Sequence, residues 1–232
     1  HQLSRTPILK AQHPDYELYL TGIHADRGVA CADCHMPYIK EGGQKFTSHN
    51  ITSPLKNISG TCQVCHRESE ESLRENVYER QEKIKEIRDR AEIELVRAHI
   101  EAKAAWDAGA TEKEMEPVLQ HIRSGQWFWD YSAASHGAAF HSPIEVSRII
   151  GNSIAEAKEA RIILARLLVK MGKNPEVPYP DIETKEKAQK FIELDMAKLQ
   201  TEKAEWIKTV LPGWDKKAKD RESAWPVQKE ND

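Results

Sequence analysis

Residues 31–35 read CADCH and residues 62–66 read CQVCH, and these two units hold all four cysteines of the chain. Three chemistries suit cysteines at this spacing. Two C-x2-C pairs can make a four-thiolate zinc site, but that leaves the histidine directly after each pair without a task. A CxxC redox dithiol usually sits in a βαβ setting, which the flanking sequence lacks. Covalent haem attachment uses every residue of the unit: both sulfurs add to haem vinyl groups, and the short turn sets the next histidine under the iron. The two units therefore read as sites for two c-type haems, one held by Cys31, Cys34 and His35, the other by Cys62, Cys65 and His66.

A haem used only for electron transfer usually fills its remaining axial position with His or Met. Eight of the ten histidines lie outside the units: His1, His13, His24, His49, His99, His121, His136 and His141. A lone histidine is more often a surface or capping residue than a ligand. Three stand out by context. His24 in TGIH and His49 in FTSHN lie in the loop-rich stretch beside the units, and His141 directly precedes a helix entrance. His99 and His121 look ordinary, and spacing alone pairs none of the eight with a particular iron.

The elements that must position these residues divide near residue 67. Residues 1–66 are rich in Pro, Gly, Ser, Thr and Asn, which predicts loops and short turns wrapped around cofactor instead of a core of their own. Residues 67–232 turn helical and charged. Leu73, Val77, Ile84, Ile87, Ala91, Leu95, Ala98 and Ala102 form one stripe of a long amphipathic helix ending near Ala108-Gly109. Thr111 and Glu114 make a capping box for the next helix, although Pro117 could move the regular start downstream. Ser142-Pro143-Ile144-Glu145 has cap, N1 proline and N3 glutamate for a third, which stops at Gly172. A last helix capped by Thr184 carries Phe191, Leu194, Leu199 and Trp206 and stops before Pro212-Gly213, leaving a frayed tail. No segment reads as a strand. The expected fold is mainly α with almost no β: a loop-rich haem-binding segment followed by long helices. Trp127, Phe128 and Trp129 are expected in the core or at a haem edge.

Composition narrows the partners. With 34 basic and 37 acidic residues the net charge is −3, and no basic stripe suggests nucleic acid. Mean hydropathy is −0.68, and no run approaches the roughly 18 apolar residues of a membrane span. The opening HQLSRTPILK has no apolar leader core, so any signal peptide is expected to be cleaved or to lie upstream. Thioether attachment of haem is completed outside the cytoplasm, which points to a bacterial periplasm.

KAQHPDYE, GIHADRGVACADCHMP, SHNITSP, TCQVCH, EAKAAWDAGATEKEM and ASHGAAFHSP occur in this order. Together they closely resemble the ammonia-forming cytochrome c nitrite reductases, over essentially the whole chain. The resemblance implies the C-terminal half of such an enzyme, a five-haem homodimer whose catalytic haem hangs on a CxxCK unit. Neither that unit, nor two further CxxCH units, nor the family's active-site arginine and tyrosine match anything here; all are expected upstream.

By the same resemblance, His13 lies above the catalytic iron and hydrogen-bonds nitrite. Lys10, through its carbonyl, and Gln12, through its side-chain amide, are calcium ligands. His24 is the distal partner of His66, His141 that of His35, and His49 reaches a haem bound by the other half. Electrons would come from a multihaem cytochrome or a membrane quinol dehydrogenase. A dihaem electron carrier without its own substrate is the alternative, against which KAQHP and the surplus His49 argue; a zinc-binding structural protein is a third, which an optical spectrum with low-spin haem bands would rule out.

Overall fold

The computed structural model describes residues 1–225. It divides into two compact units, residues 1–179 and 180 onward. The change of character near residue 67 is thus a change of secondary structure inside the first unit.

The first 66 residues form short pieces: α1 (Asp15–Tyr19), α2 (Ile23–Asp26), α3 (Cys31–His35), a hairpin of β1 (Tyr38–Glu41) and β2 (Gln44–Thr47), and 3-10 turns at Pro54–Lys56 and Cys62–Val64. The hairpin corrects the expectation of no strand. Its two-residue loop is Gly42-Gly43, with φ of +55° and +84°. Glycine takes such angles without strain, and they match the twist of an antiparallel pair. The strands are only four residues each, too short for a period-two signal to stand out.

Three long helices follow: α4 (Glu70–Asp107), α5 (Glu112–Ala133) and α7 (Pro143–Lys170), with the short α6 (Ala138–His141) before α7. The α4 stripe is buried as the periodicity requires, at Val77, Ile84, Ala91, Leu95, Ala98 and Ala102. Many of these are alanines, and the small side chains let the axes approach. One core cluster joins Ala98, Ala102 and Ala105 to Met115, Val118 and Ile122 of α5 and Leu164 and Leu168 of α7. A second, nearer the haem-binding segment, joins Leu18, Ile84 and Ala91 to Ala138, Val146 and Ile150, with Phe128 and Trp129 packed against it. At Gly125 a Cβ would lie 3.2–3.3 Å from Leu95, Ser153 and Glu156, so α4, α5 and α7 meet there too closely for a larger residue. Arg161 of α7 ties the bundle with ion pairs to Glu94 at 2.6 Å and Glu101 at 2.9 Å, both on α4.

The caps behave unevenly. Thr111 and Glu114 form the full capping box, and α5 starts there with Pro117 inside it. A proline this near the start removes one backbone hydrogen bond and leaves the cap intact. At the start of α7 the predicted box is not made. Ser142 makes no capping bond; its hydroxyl accepts from Thr21 at 2.9 Å, and Glu145 pairs with Arg148.

In the second unit the expected single helix is three: α8 (Lys185–Phe191), α9 (Met196–Thr209) and α10 (Leu211–Ala224). Thr184 caps α8 as expected, and Glu193 breaks the run with φ of +55°. Pro212 opens α10 instead of ending a helix, a position that needs no N–H. Residues 216–224 of the expected frayed tail are therefore helical, and 226–232 lie outside the described residues.

Candidate haem-binding site

CADCH is itself α3. Asp33 holds the start of that turn by accepting the Ala30 N–H at 2.7 Å. The turn carries both cysteines and His35 on one short helical piece. CQVCH opens as a 3-10 turn whose His66 N–H bonds to the Cys62 carbonyl at 2.8 Å, so the same sequence spacing closes the same kind of loop.

Each proximal histidine faces one particular partner. The His35 and His141 rings have centroids 6.4 Å apart and planes 74° apart; those of His24 and His66 are 6.3 Å and 73° apart. A metal about 2 Å from an imidazole nitrogen on either side, each nitrogen about 1.1 Å from its ring centre, separates the centroids by about 6 Å. Both gaps fit an iron between two imidazoles. Steeply crossed planes suit this too, because rings sharing a metal–nitrogen axis may rotate about it.

Second partners fix the rings. His35 donates from Nδ1 to the Thr52 carbonyl at 3.1 Å, which leaves Nε2 without its proton and free for a metal. His24 stacks on Phe140 at 5.4 Å, and burial followed by the neighbouring His66 and Arg80 holds its pKa below the ordinary imidazole value. The pKa of His141 is also lowered, by burial first, against the opposing pull of Asp15. Neutral imidazole is the form a metal needs. Burial raises the Cys34 thiol, and Cys62, Asp33 and Cys65 raise it further, so the cysteines of the two units lie within electrostatic reach of each other. Among the described residues no group of three or more His, Cys, Asp or Glu is arranged around a common ion position, so the four thiols form no zinc tetrad.

Two glycines allow the pairing. A Cβ on Gly22, two residues before His24, would collide with the His141 carbonyl. A Cβ on Gly137 would come closer than 3.0 Å to three atoms of the His141 ring. The turns bearing His24 and His141 touch because Gly22 has no side chain, and the His141 ring folds back over its own turn because Gly137 has none. The sequence signal, a glycine shortly before each histidine, was available and carried no weight by itself.

The Lys10–His13 segment is held from α5. Buried Asp130, 2% exposed, accepts the Ala11 N–H at 2.5 Å and pairs with the Lys10 ammonium. Asp130 was missed because a lone aspartate in a helix gives no pattern. His13 is exposed and has φ of +51°, left-handed despite the proline that follows. Histidine visits this region more than most residues, but a pre-proline position disfavours it. A backbone held there costs on the order of 1–3 kcal/mol and marks a residue whose direction matters. Gln12, between Ala11 and His13, is exposed. His49 is exposed, just beyond the hairpin. His99, which looked ordinary, is not: it is 5% exposed, bonded through Nδ1 to Ser4 at 2.9 Å, with Nε2 unpartnered. Burial lowers its pKa to about 4.

Helical bundle, CxxCH turns and facing imidazoles together define a c-type cytochrome. More particularly, residues 1–225 match the family model described as cytochrome c552, and the chain belongs to that family. It is 61% identical to cytochrome c-552 of Porphyromonas gingivalis over 94% of this chain, and 59% identical to that of Parabacteroides distasonis over 95%. It spans 44% of the length of each. Its fold resembles the catalytic subunit of the cytochrome c nitrite reductase of Desulfovibrio desulfuricans, a protein described with two calcium sites. That likeness has a TM-score of 0.68 at 31% identity, over 75% of this chain and 39% of the other.

Proposed function

We propose that this chain is the C-terminal part of a periplasmic multihaem nitrite reductase that forms ammonium. One nitrite, six electrons and eight protons give one ammonium and two waters. The observation that carries the proposal is the facing of His35 with His141 and of His24 with His66, each across an iron-sized gap beside a cysteine pair. The 31% identity to a solved nitrite reductase supports it.

When bound, two haems here would supply a one-electron relay, one held by Cys31, Cys34, His35 and His141 and the other by Cys62, Cys65, His66 and His24. Chemistry would then belong to a haem attached through the cysteines of a CxxCK unit, with its arginine and tyrosine, on residues outside this chain, five haems in all. His13 lies above that site and donates a hydrogen bond to nitrite and its reduction products. The Lys10 carbonyl and the Gln12 amide, completed by donors from the rest of the protein, hold calcium; that ion and Asp130 fix the direction of His13. His49 reaches a haem of the other half. Two such proteins pair as a homodimer, and the electrons come from a multihaem cytochrome or a membrane quinol dehydrogenase.

The test is the full-length protein matured with haem and supplied with a reduced viologen. Low-spin haem bands with stoichiometric ammonium from nitrite are expected. Haem bands without nitrite consumption would make it an electron carrier, and a colourless zinc protein would end the haem reading.

A further inference from the structure

We propose that Asp15 is a positioning residue for His141: it aims the imidazole, places a negative charge beside its outer nitrogen, and lowers the potential of the iron that His141 would ligate. The inference rests on the haem reading above.

The outer nitrogen of His141, Nδ1, is buried and has no hydrogen-bond partner, while Asp15 Oδ1 stands 3.8 Å from it. That is ion-pair range and longer than a hydrogen bond. The carboxylate is not free to wander. Oδ1 accepts from the Ser135 hydroxyl at 2.5 Å and from the Gly137 N–H at 3.0 Å. Both donors stand in the turn that leads into α6, and α6 ends on His141. Gly137, one of those donors, is the residue whose missing side chain makes room for the His141 ring. Asp15, the turn and the imidazole therefore form one packed unit.

Metal-bound histidines usually give their outer N–H to a carboxylate or carbonyl, which fixes the ring and raises its basicity. His35, facing His141, uses the neutral Thr52 carbonyl. One iron would thus have a neutral outer partner on one side and a charged one on the other. The charge favours the oxidised iron and depresses the potential. Asp15 lies two residues after His13, so one segment would serve both substrate and relay.

The experiment is a spectroscopically resolved redox titration of the haem-loaded full-length protein; a His141→Ala variant identifies the affected couple by loss of its low-spin signal. Asp15→Asn keeps the acceptor for Ser135 and Gly137 but removes the charge. It should raise that couple alone, changing the oxidised-to-reduced ratio at fixed potential about tenfold, or about 59 mV for one electron. Asp15→Glu should return the couple toward the starting value. Ser135→Ala removes a hydrogen bond that spreads the carboxylate charge and should shift it the opposite way. An unmoved couple in Asp15→Asn with full haem content overturns the inference while leaving the proposed function standing. If Asp15→Asn does not load haem, Ser135→Ala decides: a downward shift supports the inference, and no shift or an upward one overturns it. Absence of haem from the unaltered protein would instead defeat the haem reading itself.

Discussion

His13 is an exposed residue whose backbone sits where a pre-proline residue rarely goes, and the segment is held there by Asp130 through Ala11 and Lys10. A side chain aimed at such cost should matter for substrate more than for folding. On the proposed function, His13→Ala in the full-length protein should lower nitrite turnover by about 10²-fold, within the span of positioned acid–base groups, with haem content unchanged. Loss of haem in that variant would make His13 a ligand instead. His99 makes the contrasting case of a histidine that serves stability. Its folded pKa of about 4 lies below the ordinary 6.5 because burial disfavours the charged ring. Between those values the unfolded chain binds the extra proton, so stability is full above pH 6.5 and falls as pH drops toward 4. The loss amounts to on the order of 3 kcal/mol from this residue. Thermal unfolding followed from pH 7 to pH 4.5 should fall less steeply in His99→Gln than in the unaltered protein; parallel curves would refute this account.

At the scale of elements, the short turns matter more than the long helices. α2 and α6 carry His24 and His141 and are four residues each; they touch because Gly22 presents no side chain, and Gly137 leaves room for the His141 ring. Gly137→Ala forces a Cβ into the His141 ring, an overpacking cost of about 1–3 kcal/mol. The ring is the softer party, so the variant should show a weakened or high-spin haem signal at one site while helical circular dichroism stays intact. An unchanged low-spin spectrum would mean the turn yields instead. The long helices give these turns a fixed floor. α4 spans about 57 Å at 1.5 Å per residue, and its Ala91 and Ile84 meet the α6–α7 junction in the core cluster that also takes in Leu18 of α1.

For the whole molecule, what counts is what this chain lacks a partner for. It spans 44% of the length of its cytochrome c-552 relatives, and its two CxxCH turns account for every cysteine it has. A polypeptide of residues 1–232 matured with haem should therefore carry two low-spin haems by pyridine haemochrome assay and reduce no nitrite. Turnover by that polypeptide would place the catalytic haem here and overturn the proposed division.

The cysteine units, the α4 stripe and the Thr111–Glu114 cap were legible in the sequence because each is local: spacing within five residues, a 3.6-residue period, or a reciprocal bond over one turn. The glycine hairpin and the break at Glu193 were local as well, but four-residue strands and a single left-handed residue leave too short a pattern to read. Other features lay beyond any local signal. Asp15 meets Ser135 across 120 positions, Asp130 meets Ala11 across 119, and the Ser142 hydroxyl accepts from Thr21 instead of capping its own helix. Which histidine faces which is likewise a matter of where α1, α2 and α6 come to rest. Sequence alone determined that two haem-attachment turns exist; only the packing of the chain decided what stands opposite each histidine, because that depends on close approaches between residues far apart along the chain.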